Sequence, residues 1–424
     1  MSSTANTDTL DADVLIIGAG PSGAIAAALL VQRGYRVLVL ERETFPRFSI
    51  GESLLPQCME YIEEAGMLEA VRAAGFQRKN GALFQRGGAY SGFDFSEQFS
   101  IGFSETFEVQ RAQFDQLLAE QAAGQGADIR YRHEILAVDV SGDCPSLSCR
   151  LPDGSQQQFS GRFLLDASGF GRVLPRFLDL EVPSSFPVRS SLFTHVEDFI
   201  SDASFDREKI LISVHPRHRD VWFWLIPFDD GRASLGVVAA PHFFDAYPQA
   251  PLEALRAIVA EDAELGRLLG SAQWDTPARR VTGYSANVSR MCGEHFALLG
   301  NAGEFLDPVF SSGVTIAMRS ASMAVKVVDR QLRGQRVNWQ TEYVQPLARG
   351  VHAFRVFVEA WYDGRFQDIV FHAGAGTEIR RMICSILAGY AWDENNPYVA
   401  QPERRLKALW QYCRPGREYS NDEM

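Results

Sequence analysis

The chain has 424 residues, with 41 basic and 53 acidic side chains and a formal net charge of −12. That balance argues against nucleic-acid binding, which calls for a basic patch. The 46% hydrophobic and 22% charged content is that of an ordinary globular protein of one large or two fused domains, and no apolar run reaches the roughly 18 residues of a membrane span.

Residues 1–10 are polar and read as a disordered tail. Asp13-Val-Leu-Ile-Ile17 is short, apolar and β-branched, the mark of a buried parallel strand. Gly18-Ala-Gly20-Pro-Ser-Gly23 follows, then a strong helix former over residues 24–30 and a second strand over residues 35–40 that closes on Glu41. In this order Gly18 permits the tight turn, Gly20 lets backbone approach a pyrophosphate, and Gly23 lets helix and strand pack closely. The helix N-terminus offers free N–H groups and a positive dipole end. Glu41, 18 residues beyond Gly23, is placed to bond a ribose hydroxyl. The motif by itself leaves NAD and FAD open.

Residues 52–75 carry helical spacing, and residues 81–107, rich in Gly, Ser and Phe, read as strand and loop. Val109-Gln-Arg111-Ala-Gln-Phe114-Asp115-Gln-Leu117 resembles the "R..FD..L" segment of FAD-dependent hydroxylases. Gly300-Asn301-Ala302 to Asp307-Pro308 resembles their "GDA…DP" segment; together the two favour FAD. Asn301 stands where Asp is usual, and its amide still bonds a hydroxyl. Phe163-Leu-Leu-Asp166-Ala167-Ser168-Gly169 is another strand ending in a glycine turn. Residues 186–240 hold strands at 209–214, 221–228 and 233–238, which would roof the flavin and wall a substrate chamber. Residues 252–269 and 313–332 each read as one helix. Phe354, Phe357, Trp361, Tyr362, Phe366, Ile369 and Val370 recur at helical intervals, either as core packing or as an aromatic lid. The end after Pro415 reads as frayed.

Strands alternate with helices at first and then cluster, so two subdomains interleave. Residues 11–75, 106–180 and 281–333 form the nucleotide module, residues 76–105 and 181–280 a β-sheet substrate subdomain, and residues 334–424 a helical region. The fold class is α/β, FAD-binding and Rossmann-like (GR2/PHBH-like). The six cysteines form neither a CxxC pair nor a metal spacing, and no signal peptide precedes the first strand. The expectation is a cytoplasmic protein with reduced thiols and no metal.

Taken together, several stretches resemble the flavin-dependent halogenases, and nearer their phenol- and pyrrole-type members than the tryptophan-specific ones. They are Gly18 to Gly23, Pro46-Arg-Phe-Ser-Ile-Gly51-Glu52-Ser53-Leu-Leu-Pro56, Phe76-Gln-Arg-Lys79-Asn-Gly81, the WxWxIP hexapeptide Trp222-Phe-Trp224-Leu-Ile226-Pro227, and Asp307-Pro308-Val-Phe310-Ser311-Ser312-Gly313-Val314. The resemblance implies that reduced FAD and dioxygen convert chloride or bromide to hypohalous acid. This oxidant then travels to Lys79 beside an electron-rich aromatic substrate. FAD would be held by Gly18, Gly20, Ser22, Gly23, Glu41, Arg42, Arg47, Ser49 and Arg111. The later turn would add Gly300, Asn301, Asp307, Gly313 and Val314. Ser312 and Gly313 would hold the halide, and Trp222, Trp224, Pro227 and Phe310 would wall the passage. A separate flavin reductase would supply FADH2.

The residues support parts of this separately. Trp222 and Trp224, two apart on a strand, share one face and could bar a bulky substrate while passing a small oxidant. Ser312 and Gly313 precede a helix, whose N-terminus is an anion site. Lys79 could donate a hydrogen bond to hypohalous acid as an ammonium, or become a haloamine if burial leaves it neutral. Tryptophan-specific members carry Glu in "ESTG" where this chain has Phe310, which points away from free tryptophan and toward phenols or pyrroles. Some such members act on substrates tethered to carrier proteins. The rival readings are an FAD-dependent monooxygenase and a catalytically silent flavin scaffold.

Overall fold

The computed structural model describes residues 10–372, 374 and 376–414. The expected tail, Leu10 apart, and the stretch from Pro415 onward lie outside the described residues. Five short parallel strands form the first layer, in the order Phe296–Leu298, Phe163–Asp166, Val14–Ile17, Val37–Leu40, Asp128–Arg130. A parallel sheet must be covered on both faces. Val14, Ile16, Val39 and Leu165 enter the main core with the helices Pro21–Gln32 and Ser312–Leu332, which pack on each other. Leu15, Ile17, Leu38 and Leu164 face the other way, onto Leu147, Cys149 and Phe159. These last belong to a small antiparallel sheet of Glu134–Asp139, Ser146–Arg150 and Gln156–Ser160 that sequence reading did not resolve.

A second sheet has seven strands, ordered Arg279–Thr282, Ser190–Glu197, Arg232–Ala239, Trp222–Pro227, Lys209–Val214, Gly81–Arg86, Ala89–Asp94. All neighbours are antiparallel except Lys209–Val214 with Gly81–Arg86. Strand alternation sorts the hexapeptide by face. Trp222, Trp224 and Ile226 enter the main core, while Phe223 and Leu225 join Leu235, Val237, Leu255 and Ile258 in a second cluster.

Two expected helices are shorter or divided. Residues 52–75 hold only Cys58–Glu64 and Leu68–Ala73. Pro56 bars helical geometry at Leu55, and residues 52–54 instead bond Phe107 and Val109 through the backbone. The single helix expected over residues 252–269 is two, Pro251–Val259 and Ala263–Leu268, because Asp262 caps the second by accepting from Glu264 N and Leu265 N. Asp262→Ala is expected to lower unfolding stability by about 1–2 kcal/mol, read as a lower urea midpoint. In the helical region Phe354, Phe357, Trp361, Phe366, Ile369 and Val370 are all buried in the main core, so the aromatic run packs and does not form a lid.

Candidate active site

A cavity of about 600 Å³ lies beyond the C-terminal ends of the parallel strands, where such sheets bind ligands. The glycine turn, residues 47, 49–53 and 168–171, the indoles of Trp222 and Trp224, and the start of helix Ser312–Leu332 wall it. The glycines divide by cause. Gly18 has φ +92°, and a Cβ there would meet Ala167 O at 2.7 Å; one at Gly23 would meet Gly18 O at 2.0 Å. Both are required by packing. Gly20 has an ordinary φ of −69°, and its Cβ would find only Arg47 Nη2 at 3.5 Å and Asp115 Oδ2 at 4.0 Å. Nothing in the protein demands glycine there, but a backbone-hugging phosphate does. The helix that follows has no capping side chain and no acid in its first turn, which leaves its N–H groups for an anion. The cradle therefore fits the pyrophosphate of FAD.

Around it, Glu41 accepts from Ala19 N and Glu43 N, both at 2.9 Å, and so ties the glycine turn to the second strand. Ser22, Arg47 and Ser49 line the cavity, and Arg42 lies exposed at its edge. Arg111 also lines it, but its guanidinium is committed. It grips Asp115 at 2.7 and 3.0 Å and donates to Ile50 O at 2.7 Å, fixing the loop that carries Glu52 and Ser53. Asn301, Gly313 and Val314 line the far side. Gly300 does not; its N–H donates to Ser320 Oγ at 2.9 Å and anchors the turn.

Trp222 and Trp224 both face the cavity, ring centroids 6.0 Å apart, with Ile226 beyond them. Trp224 Nε1 donates to Ser234 Oγ, and Trp222 Nε1 to Tyr362 Oη at 3.1 Å. Tyr362 in turn donates to Asp307 at 2.8 Å. Asp307 does not line the cavity; it caps the turn Pro308–Phe310 through Val309 N, and burial raises its carboxyl to about 6. The Tyr362 hydroxyl favours the carboxylate, so Tyr362→Phe removes a bond that matters most above that pH. The loss of stability is expected at about 1–3 kcal/mol and larger at pH 8 than at pH 5, measured by denaturant unfolding. Phe310 packs edge-on against Trp361 and Phe366. Neither it, Pro227 nor the buried Ser312 lines the cavity. Ser311 does, and its left-handed backbone (φ +55°) opens helix Ser312–Leu332.

Lys79 ends the strand Gln77–Lys79, which pairs with Thr106–Glu108. Arg78 points outward to Glu105 and Glu208, and Lys79 points inward, 1% exposed. Its Nζ donates to Ser53 Oγ at 2.7 Å and Leu54 O at 2.8 Å and lies 5.5 Å from the Phe95 ring centre. Burial lowers its amine to about 8. Lys79 does not itself line the cavity; Ser53 does, so the amine stands one side chain behind the wall.

Residues 11–344 match the FAD binding domain family. A tryptophan 2-halogenase of Chondromyces crocatus is 30% identical over 82% of this chain and 67% of its own length. The chain belongs to the flavin-dependent halogenases. A second relative of this halogenase is a 1H-pyrrole-2-carbonyl-[peptidyl-carrier protein] chlorinase of Pseudomonas fluorescens, 28% identical over 83% of this chain and 84% of the other. Among solved structures, a flavoprotein/dehydrogenase of Cytophaga hutchinsonii is 42% identical, with a TM-score of 0.93 over 96% of this chain and all of that one. Among the described residues of the halogenase, no helix is long and apolar enough to cross a membrane, and no cluster of metal-ligating side chains occurs.

Sequence reasoning missed four polar groups of the halogenase site. Ser53 lies between cavity and lysine; Glu52 lines the cavity and meets His195 Nε2 at 2.7 Å. Glu108 is 1% exposed. Glu52 and Ser53 stood inside a matched stretch without a role. Glu108 carried a weaker signal, an acid two residues from the strand partner of a buried lysine.

Proposed function

We propose that this halogenase chlorinates or brominates an electron-rich aromatic ring, phenolic or pyrrolic, free or held on an acyl carrier protein, with Lys79 directing the halogen. One observation carries the reading: the Lys79 amine is wholly buried and a single hydrogen bond behind the cavity wall at Ser53. Reduced FAD with dioxygen, when bound, supplies the oxidising equivalent that makes hypohalous acid from halide. The chain's own residues do the rest. Trp222 and Trp224 wall the cavity with two indoles. The first turn of helix Ser312–Leu332, free of acids, offers the Gly313 end to a halide. As an ammonium Lys79 has three N–H donors, of which two are spent on Ser53 Oγ and Leu54 O. The third is free to polarise hypohalous acid toward the ring.

Substrate class follows from Phe310, which packs on Trp361 and Phe366 and supplies no carboxylate where tryptophan-specific members have one. A phenol or pyrrole, already activated, needs less help from a base. The carrier-bound option gains support from the Pseudomonas relative. With one glycine fingerprint in the sequence, reducing equivalents come from a separate NADH-dependent flavin reductase.

The ammonium role fixes a sign. Lys79 is protonated below its midpoint of about 8 and neutral above it. The halogenation step is therefore expected to fall tenfold per pH unit once pH passes about 8, in single-turnover runs started with reduced flavin. A rate that climbs through the same range would instead assign the chemistry to the neutral amine. Product formed without halide would move the protein to the monooxygenase reading.

A further inference from the structure

The strand pair that carries Lys79 carries a second buried ionisable group that the chemistry above leaves unused. In its register Lys79 faces Thr106 and Gln77 faces Glu108. Lys79 and Glu108 are thus diagonal neighbours on one face, a separation long side chains span. Lys79, Thr106 and Glu108 on that face are buried, and neither Oε of Glu108 has a hydrogen-bond partner. A carboxylate so placed is costly unless a cation answers it.

The other charged groups around the pair are already engaged. Arg207 is bound to Asp198 at 3.0 and 3.1 Å and to Phe228 O. Glu52 meets His195. Cys58 is a thiol that burial pushes up, so it brings no charge at neutral pH. Of the chain's 41 basic residues only four are lysines, Lys79, Lys209, Lys326 and Lys407, and Lys79 is the one left facing Glu108.

We propose that Glu108 is the counter-charge of Lys79, a positioning residue that holds the amine as an ammonium at neutral pH across the strand pair. Burial opposes both charges and the attraction between them counters it, raising the amine and lowering the carboxyl relative to burial alone, so each keeps its charge only while the other does. In its bearing on halogenation the inference rests on the role proposed for Lys79.

The scarcity of lysine makes the test direct. Protein carrying 15N at lysine Nζ gives four side-chain signals, and Lys79→Met identifies the one in question. In wild type this signal is expected to titrate near 8. In Glu108→Gln the midpoint falls by about one unit or more, and the basic limb of halogenation moves down with it. In Glu108→Asp, which keeps the charge, the midpoint stays near the wild-type value. A Glu108→Gln midpoint equal to or above wild type overturns the proposal. Should Glu108→Gln not fold, a wild-type Lys79 already neutral at pH 7 does the same. A lowered midpoint with halogenation indifferent to Lys79→Met leaves the pair standing and removes the proposed function. Lys79-dependent halogenation with an unmoved midpoint removes the pair alone.

Discussion

Lys79→Met is expected to cut ring halogenation by about 10²–10³-fold or more, the cost of removing a donor that acts on a developing charge, while flavin reoxidation continues. Methionine matches the length of lysine and suits the apolar surroundings of Phe95 and Cys58. Replacing a buried charge by an apolar chain of similar volume is often neutral for stability. Glu108, left without its cation, takes up a proton, the form that its burial favours. The variant therefore folds, binds flavin and lacks only the directing amine. Stopped-flow absorbance follows the flavin, and mass spectrometry the product. Product at wild-type yield would show that the halogen reaches the ring without Lys79.

The second large effect concerns Gly20. Gly20→Val is expected to weaken FAD binding by at least about 10²-fold, since a side chain replaces the phosphate at the helix N-terminus, with the melting temperature unchanged within a few degrees. The separation is possible because Gly20 has ordinary backbone geometry and its Cβ meets no protein atom closer than 3.5 Å. Gly18→Ala and Gly23→Ala should behave oppositely, for a Cβ there lands 2.7 Å and 2.0 Å from backbone oxygens. They lower the melting temperature first and flavin binding as a consequence. Flavin titration followed by fluorescence, beside thermal unfolding by circular dichroism, sorts the three. Retained binding in Gly20→Val would remove the pyrophosphate argument.

The nucleotide cradle was legible in sequence because each of its parts has a local cause: a buried strand, a glycine turn, an alanine-rich helix and a closing acid. The two indoles were legible for the same reason, since alternation on one strand decides their face. What escaped reading depends on distant pairing. Arg111 resembles a cofactor ligand, yet it also donates to Ile50 O, 61 residues away. Phe310 and Asp307 sit in a matched motif but serve packing and capping, because the C-terminal helices bring Trp361, Phe366 and Tyr362 onto them. The small antiparallel sheet over residues 134–160 exposes one face and has too little apolar alternation to announce itself. Glu108 gains its meaning only from a strand register between segments nearly thirty residues apart.

The measurement closest to the central claim supplies reduced FAD, dioxygen and chloride or bromide to wild type and to Lys79→Met, with phenols, pyrroles and tryptophan offered free and the ring acids also on a carrier protein. Mass spectrometry reads the halogen isotope pattern. Wild type is expected to give halogenated phenol or pyrrole and the variant none, with equal flavin reoxidation in both. Halogenated product from both proteins, or a hydroxylated product formed without halide, would contradict it.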